Sequence, residues 1–129
     1  MELSKLLFIH AIITLAAGIV LVVAPSLIPE TVNSKITPNE YLLCYFLGAA
    51  EFAIAYLSYF SRKIKDTDVL RLIISTLIVF HAATGILEGY AFTQGVSSKI
   101  TGNIALRVII IILFFYYGYY KTINQNTAA

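Results

Sequence analysis

The sequence predicts an all-α protein, a four-helix transmembrane bundle with both chain ends in the cytoplasm. Two observations point to this fold class. The 129 residues are 59% hydrophobic and 12% charged, whereas soluble domains carry about 25% charged residues. The chain also contains four apolar stretches, and each is close to the roughly 20 helical residues that cross a bilayer. A cytosolic enzyme of this composition is therefore not expected.

Turn-forming residues, proline and asparagine in the first and glycine in the last, mark two of the segments between the stretches, and the middle one is a short charged link. None of the stretches alternates polar and apolar residues with a period of two, so a transmembrane barrel is not expected. Backbone polar groups in lipid must be paired within their own segment, which favours helices. The predicted spans are about residues 5–24, 41–60, 69–92 and 104–120, within one domain of residues 1–129.

The distribution of lysine and arginine predicts the orientation, because cytoplasmic loops carry an excess of both. With four spans, the chain ends and the middle link lie on one side. The sequence places six basic residues on that side and three on the other: Lys5, Arg62, Lys63, Lys65, Arg71 and Lys121 against Lys35, Lys99 and Arg107. Both ends are therefore predicted to be cytoplasmic, and we expect a bacterial cytoplasmic membrane.

Composition also bears on partners and cofactors. The net charge of +2 and the scattered basic residues do not form the basic stripe that binds nucleic acid, so no nucleic-acid partner is expected. A single cysteine, Cys44, excludes a disulfide framework within the chain and a cysteine-rich metal site. No cofactor is expected. The expected partners are membrane lipids and either further copies of the chain or another membrane protein.

Ionisable residues inside the spans are the main functional leads, because a charge at mid-bilayer costs a few kcal/mol. Helical spacing places these residues on stripes that also carry small residues, which is how packed membrane helices are lined. The stripes should face the interior of the bundle. The predicted polar network consists of His10, Thr14, Glu51, His81, Glu88 and Arg107.

Glu51 and His81 are predicted at similar depths, about 15 and 12 Å below the outer boundary at about 1.5 Å per residue. In one interpretation they are catalytic candidates, an acid–base pair that moves a proton or acts on an apolar substrate. In the other they only join two helices, contributing about 0.6–2 kcal/mol to association. The sequence leaves both interpretations open.

Glu88 and Arg107 both fall within about 5 Å of the outer boundary, which predicts a structural ion pair with snorkelling side chains. Binding of an anionic headgroup by Arg107 is the alternative. His10 is predicted about two helical turns deeper towards the cytoplasm. No metal site is expected, because the two histidines lie at different depths and the Glu-x-x-His spacing of di-iron bundles is missing.

Two weaker patterns concern packing. Gly85 and Gly89 form a GxxxG spacing, which permits close approach by a neighbouring helix or by a second subunit. In the first outer loop, Ile28, Val32 and Ile36 recur at every fourth position. This spacing predicts a short interfacial helix that lies on the membrane or caps the bundle.

Several segments together are similar to small four-helix bacterial membrane proteins of the DoxX-like group. They are AAGIVLVVAPSLIP, LGAAEFAIAYLSYFSRK, RLIISTLIVFHAATG and TQGVSSKITGN. The resemblance covers nearly the whole chain and implies a bundle and a membrane location, but no activity. Glu51 is a departure, because DoxX-like proteins are expected to carry a small or apolar residue there.

The sequence as a whole therefore favours a small multi-pass membrane protein that acts as a binding or assembly component rather than as an enzyme. The alternative is a membrane-embedded enzyme or a proton-coupled carrier. Such a protein would handle a lipid-like or small apolar molecule, with Glu51 and His81 as its acid–base pair.

Overall fold

The structure of the protein, a computed structural model, describes residues 2–121, which form helices and the short links between them. A 3₁₀ turn, Pro38–Glu40, leads into the third helix, and a π-helical turn, Tyr116–Tyr120, continues the last one. The α-helices are α1 (Leu3–Val23), α2 (Leu27–Thr31), α3 (Tyr41–Ser61), α4 (Thr67–Thr93) and α5 (Ile100–Phe115).

Four of these helices, α1, α3, α4 and α5 with their adjoining turns, are long and apolar enough to span a membrane. The predicted all-α class with four long helices is therefore confirmed. The fourth helix begins at Ile100 rather than near residue 104, and α4 begins at Thr67 rather than near residue 69. Hydropathy marks only the apolar part of a helix and therefore misses a polar first turn. In α4 the carboxylate of Asp66 accepts hydrogen bonds from the backbone N–H groups of Asp68 and Val69, at 2.9 and 3.1 Å.

Helices that follow one another along the chain are antiparallel, and the closest pairs are α1 with α3 and α4 with α5. The chain therefore makes two antiparallel helix pairs that pack side by side. We call one end of the bundle the terminal end, because it contains residue 2, the α3–α4 link and Lys121. The opposite end, the α2 end, contains α2 and the α4–α5 link. There Asn33 contacts Lys99 and Ser97 at 3.2 and 3.5 Å.

The apolar core lies in the half of the bundle nearer the terminal end. It joins three helices, since α1, α4 and α5 all contribute side chains that are at most 6% exposed. Each buried aliphatic or aromatic side chain of this kind contributes about 1.5–3 kcal/mol by leaving water. The cluster consists of Leu6, Leu7, Ile74, Leu77 and Phe114.

Glycines allow close approach at two contacts between helices. Gly18 of α1 lies against Gly48 of α3, where a Cβ on Gly48 would come within 3.2 Å of the carbonyl oxygen of Gly18. Gly118 lies against α4, where its Cβ would come within 2.7 Å of Cγ2 of Ile74. The GxxxG spacing does not work as a unit within this fold, because a Cβ on Gly89 would meet nothing within 4 Å among the described residues.

The contact at Gly118 yields a test of the packing. We expect Gly118→Ala to lower the free energy of unfolding by about 1–3 kcal/mol, because Ile74 is fully buried and β-branched and cannot turn aside. The measurement is thermal unfolding of the purified protein in detergent. Gly102→Ala in α5 is the matched control, since its Cβ meets nothing within 4 Å among the described residues. Equal stability of the two variants would contradict the packing described here.

Candidate functional site

A line of hydrogen-bonded polar side chains crosses the middle of the bundle. Nδ1 of His10 lies 2.8 Å from Oγ of Ser58, and Nε2 of His10 lies 2.8 Å from Nε2 of His81. Nδ1 of His81 lies 3.5 Å from Nη1 of Arg107, whose other nitrogens bind Glu88. We call these five residues the polar chain. Since they come from α1, α3, α4 and α5, the polar chain connects all four long helices.

The charge of Arg107 sets the direction of every hydrogen bond in the polar chain. A guanidinium group only donates, so Nδ1 of His81 accepts from it and Nε2 of His81 carries the proton. Nε2 of His10 then accepts from His81, and Nδ1–H of His10 donates to Ser58. Both imidazoles are neutral in this arrangement, and they are opposite tautomers. All four ring nitrogens have partners.

Glu88 and Arg107 form the ion pair that the sequence predicts. Nε and Nη2 of Arg107 donate to the two carboxylate oxygens of Glu88 at 2.9 and 2.8 Å. The side chains are 22% and 18% exposed, so the pair is only partly buried. This two-point geometry is the strongest form of a carboxylate–guanidinium contact. Nε and Nη2 of Arg107 are thus already bonded to Glu88 and would not be free to bind an anionic lipid headgroup.

The predicted depth of His10 is wrong. His10 and His81 lie at nearly the same distance from the α2 ends of their helices, Val23 and Thr93, and their rings touch edge to face at 5.1 Å between centroids. His10 lies 13 residues before Val23 and His81 lies 12 residues before Thr93. The difference along the helices is about 1.5 Å rather than two helical turns.

Next to the polar chain lies a cavity of about 230 Å³, lined by residues of all four long helices and of α2. The six residues that the sequence singles out all line it: His10, Thr14, Glu51, His81, Glu88 and Arg107. Thr14 is not part of the polar chain, because its hydroxyl donates to the carbonyl oxygens of His10 and Ala11 within α1. The cavity is therefore where the predicted residues meet.

Glu51 is the exception among these residues. Its side chain is 9% exposed and lines the cavity, yet within residues 2–121 it makes no hydrogen bond or close ion pair. The charge of Arg107 influences Glu51 electrostatically, but Nε and Nη2 of Arg107 donate their hydrogen bonds to Glu88. Glu51 and His81 thus share a cavity without forming the hydrogen bond that an acid–base pair requires. Glu51 is left with its carboxyl oxygens facing the cavity.

Apart from Asn103, apolar side chains make up the rest of the cavity wall. Several of them also reach the outer surface of the bundle: Ile13, Leu47 and Leu106 are 52%, 44% and 51% exposed. The cavity therefore opens sideways between helices. Ile28 of α2 closes it towards the α2 end, so the predicted short helix is present and takes part in the wall.

Two residues of the site, Ser58 and Asn103, were not among the candidates. Ser58 ends the polar chain, and Asn103 lines the cavity. Ser58 lies seven residues after Glu51 in the sequence, which places both on one face of α3. That signal was available, but a serine costs little in an apolar helix because its hydroxyl can bond to its own backbone. Polarity alone therefore did not single it out.

The described residues contain no group of three or more His, Cys, Asp or Glu side chains placed to hold a metal ion. Within the polar chain, the ring nitrogens that a metal would need are bonded to Ser58, to Arg107 and to each other. Cys44 is buried on α3 and is a free thiol. The cavity thus offers the carboxyl group of Glu51, the amide of Asn103 and an apolar part of its wall as binding features.

Comparison with known protein families, with curated proteins and with solved structures gave no match to this chain. The resemblance to DoxX-like proteins stays a prediction from the sequence.

The direction of the polar chain can be tested by spectroscopy. We expect ¹⁵N NMR of the histidine side chains in detergent to show His10 protonated at Nδ1 and His81 at Nε2, because only then can His81 accept from Arg107 and His10 accept from His81. Arg107→Gln should release His81 to sample both tautomers, since an amide can donate or accept. The opposite pair of tautomers in the unaltered protein would contradict this assignment.

Proposed function

We propose that this protein is a multi-pass membrane protein that binds a small molecule in the cavity between its helices. The observation that supports this best is Glu51, a buried carboxyl group with no hydrogen-bond partner among the described residues, at the wall of a cavity whose other lining is partly the polar chain and partly hydrocarbon. Ligand pockets have this character, being mostly apolar with a few polar groups that orient the ligand. In a packed helical bundle that serves only assembly, such a cavity would lower stability.

Binding is favoured over acid–base catalysis by the state of His81. Both of its ring nitrogens already have hydrogen-bond partners, His10 and Arg107, so it has no free nitrogen to offer a substrate. A proton added to His81 would also face the guanidinium of Arg107. These two facts weigh against an enzyme or a carrier that uses Glu51 and His81 as its acid–base pair.

The size and position of the cavity suggest the kind of ligand. A cavity of about 150 Å³ holds benzene, and pockets for drug-sized molecules begin at about 300 Å³. At about 230 Å³ this cavity suits a molecule of one ring or a short branched chain. Its sideways opening suits a ligand that enters from the hydrocarbon layer.

In this proposal the protein lies in a bacterial cytoplasmic membrane with the terminal end of the bundle in the cytoplasm. The support is the charge asymmetry: the α3–α4 link and the chain ends carry most of the lysines and arginines. Arg62 at that end stacks on Phe8 and Tyr59, with 4.7 and 4.0 Å to the ring centroids. Such contacts suit the interface between headgroups and hydrocarbon, where basic and aromatic side chains gather. Lipids are then the main partners, and the exposed helix faces leave room for further copies or another membrane protein.

The proposed orientation is tested by labelling single cysteines in intact cells with a membrane-impermeant maleimide. We expect Lys99→Cys, in the α4–α5 link, to be labelled and Lys63→Cys, in the α3–α4 link, to react only after the membrane is permeabilised. Both changes are made in a Cys44→Ala background, so that no other thiol reports. Labelling of Lys63→Cys alone in intact cells would reverse the proposed orientation.

Filling the cavity tests the proposed function. The probe is tert-butylbenzene, a compact apolar molecule, and the measurement is the shift it causes in the melting temperature of the protein in detergent. We expect stabilisation of the unaltered protein, because a ligand that binds only the folded state raises its stability. Ala17→Phe should abolish the shift, since Ala17 lines the cavity.

Ala16→Phe is the matched control, because it adds the same ring on the exposed face of the same helix. It should keep the full shift. An equal shift in all three proteins would mean that the probe acts through the detergent rather than the cavity. That result, or no shift in any of them, would refute the proposed binding function.

A further inference from the structure

We infer that the cavity binds a small hydrophobic ammonium cation at Glu51, and that the cation takes the place of a proton on this carboxyl group. This inference rests on the proposed function, since it names the class of ligand for the same cavity. It follows from the charges around the cavity, from the burial of Glu51 and from the nature of the remaining wall.

The charges around the cavity do not balance. Arg107 is neutralised by Glu88 through two short hydrogen bonds of 2.9 and 2.8 Å. Both histidines are neutral, because each uses a lone pair to accept a hydrogen bond along the polar chain. Glu51 is then the one ionisable group lining the cavity that has no hydrogen bond or close ion pair within residues 2–121. When ionised, it leaves the cavity with an excess negative charge.

An ionised carboxylate removed from water is costly unless a proton or a positive charge accompanies it. Glu51 is nine-tenths buried, and within residues 2–121 it accepts no hydrogen bond. In the empty cavity it therefore holds a proton. A cation that enters can replace that proton: the O–H bond of the carboxyl group breaks, the proton leaves to water, and the carboxylate pairs with the cation. No bond forms to the ligand, and charge is conserved.

The remaining wall selects the type of cation. Ile13, Leu47 and Ile110 line the cavity with hydrocarbon, and outside the polar chain Thr14 and Asn103 add only two uncharged acceptors. A primary ammonium has three N–H groups to pair, whereas an alkylated ammonium has few or none. A metal ion is equally unsuited, because it would find too few ligand oxygens. The ligand class is thus an alkylated amine with one ring or a short branched chain.

The test compares two probes of nearly identical shape. Phenyltrimethylammonium carries a permanent charge and has no proton to lose, so any pH dependence of its binding belongs to the protein. Its neutral counterpart is tert-butylbenzene. Binding of each to the whole chain in detergent is measured by isothermal titration calorimetry, across a range of pH and in two buffers with different heats of ionisation.

We expect the unaltered protein to bind the cation and to release one proton for each cation bound, which the comparison of the two buffers measures directly. On the acid side, where Glu51 is protonated, the affinity should fall about tenfold for each pH unit, as one linked proton requires. Glu51→Gln should weaken cation binding at least tenfold and leave tert-butylbenzene binding intact. Intact binding of the neutral probe also shows that the variant is folded.

Asp68→Asn is the matched control, since it makes the same change from carboxyl to amide at a side chain that is 94% exposed in the first turn of α4. It should bind the cation as the unaltered protein does. His10, His81, Glu88 and Arg107 also line the cavity and could bring their own pH dependence. A pH dependence of cation binding that comes from these four residues would persist in Glu51→Gln. The pH dependence that comes from Glu51 itself would disappear in this variant.

The outcomes separate this inference from the proposed function. If tert-butylbenzene binds in a way that Ala17→Phe abolishes, but the cation does not bind, the cavity is a neutral site and the inference is wrong. The same holds if the cation binds Glu51→Gln equally well or releases no proton. If neither probe responds to Ala17→Phe, the proposed function fails and takes the inference with it.

Discussion

The rest of the structure depends on one constraint, that a guanidinium group donates hydrogen bonds and never accepts them. Arg107 reaches from α5 to His81 on α4, and this contact decides which nitrogen of His81 carries the proton. His10 and Ser58 must then follow in one order. Four helices with almost no polar surface are thereby joined through a line of hydrogen bonds that has one direction. Changing the tautomer of either histidine alone would leave two N–H donors, or two lone pairs, facing each other.

The polar chain and the apolar packing divide the bundle between them. Nearer the terminal end, Leu7, Ile74 and Phe114 are at most 1% exposed, and Gly118 lets the end of α5 pack against Ile74. Towards the α2 end, α1 and α3 stay in close contact at Gly18 and Gly48, and the cavity opens beside Glu51. The apolar core therefore packs three of the long helices together at a place apart from the cavity.

Hydropathy was sufficient to predict the four helices, and helical spacing was sufficient to bring six polar residues to the bundle interior. The pairing of those residues was only partly predictable. Glu88 and Arg107 pair because opposite charges near one boundary have few other choices. The contact between His10 and His81 was not predicted, because the predicted depths placed the two residues about two helical turns apart, whereas both lie at nearly the same distance from the α2 ends of their helices. Nor can a sequence reveal a cavity, which is a volume that packing fails to fill.

The same constraint explains why Glu51 stands apart. Every other ionisable side chain around the cavity has a hydrogen-bond partner among the described residues, and none of them donates to Glu51. Arg107 is occupied by Glu88, and the imidazoles of His10 and His81 are occupied by each other and by their neighbours. A bundle that only needed stability would gain by replacing Glu51 with an apolar residue, as buried charge without compensation is costly. Its presence at the wall of a cavity that opens sideways is therefore better accounted for by what the cavity receives than by what holds the helices together.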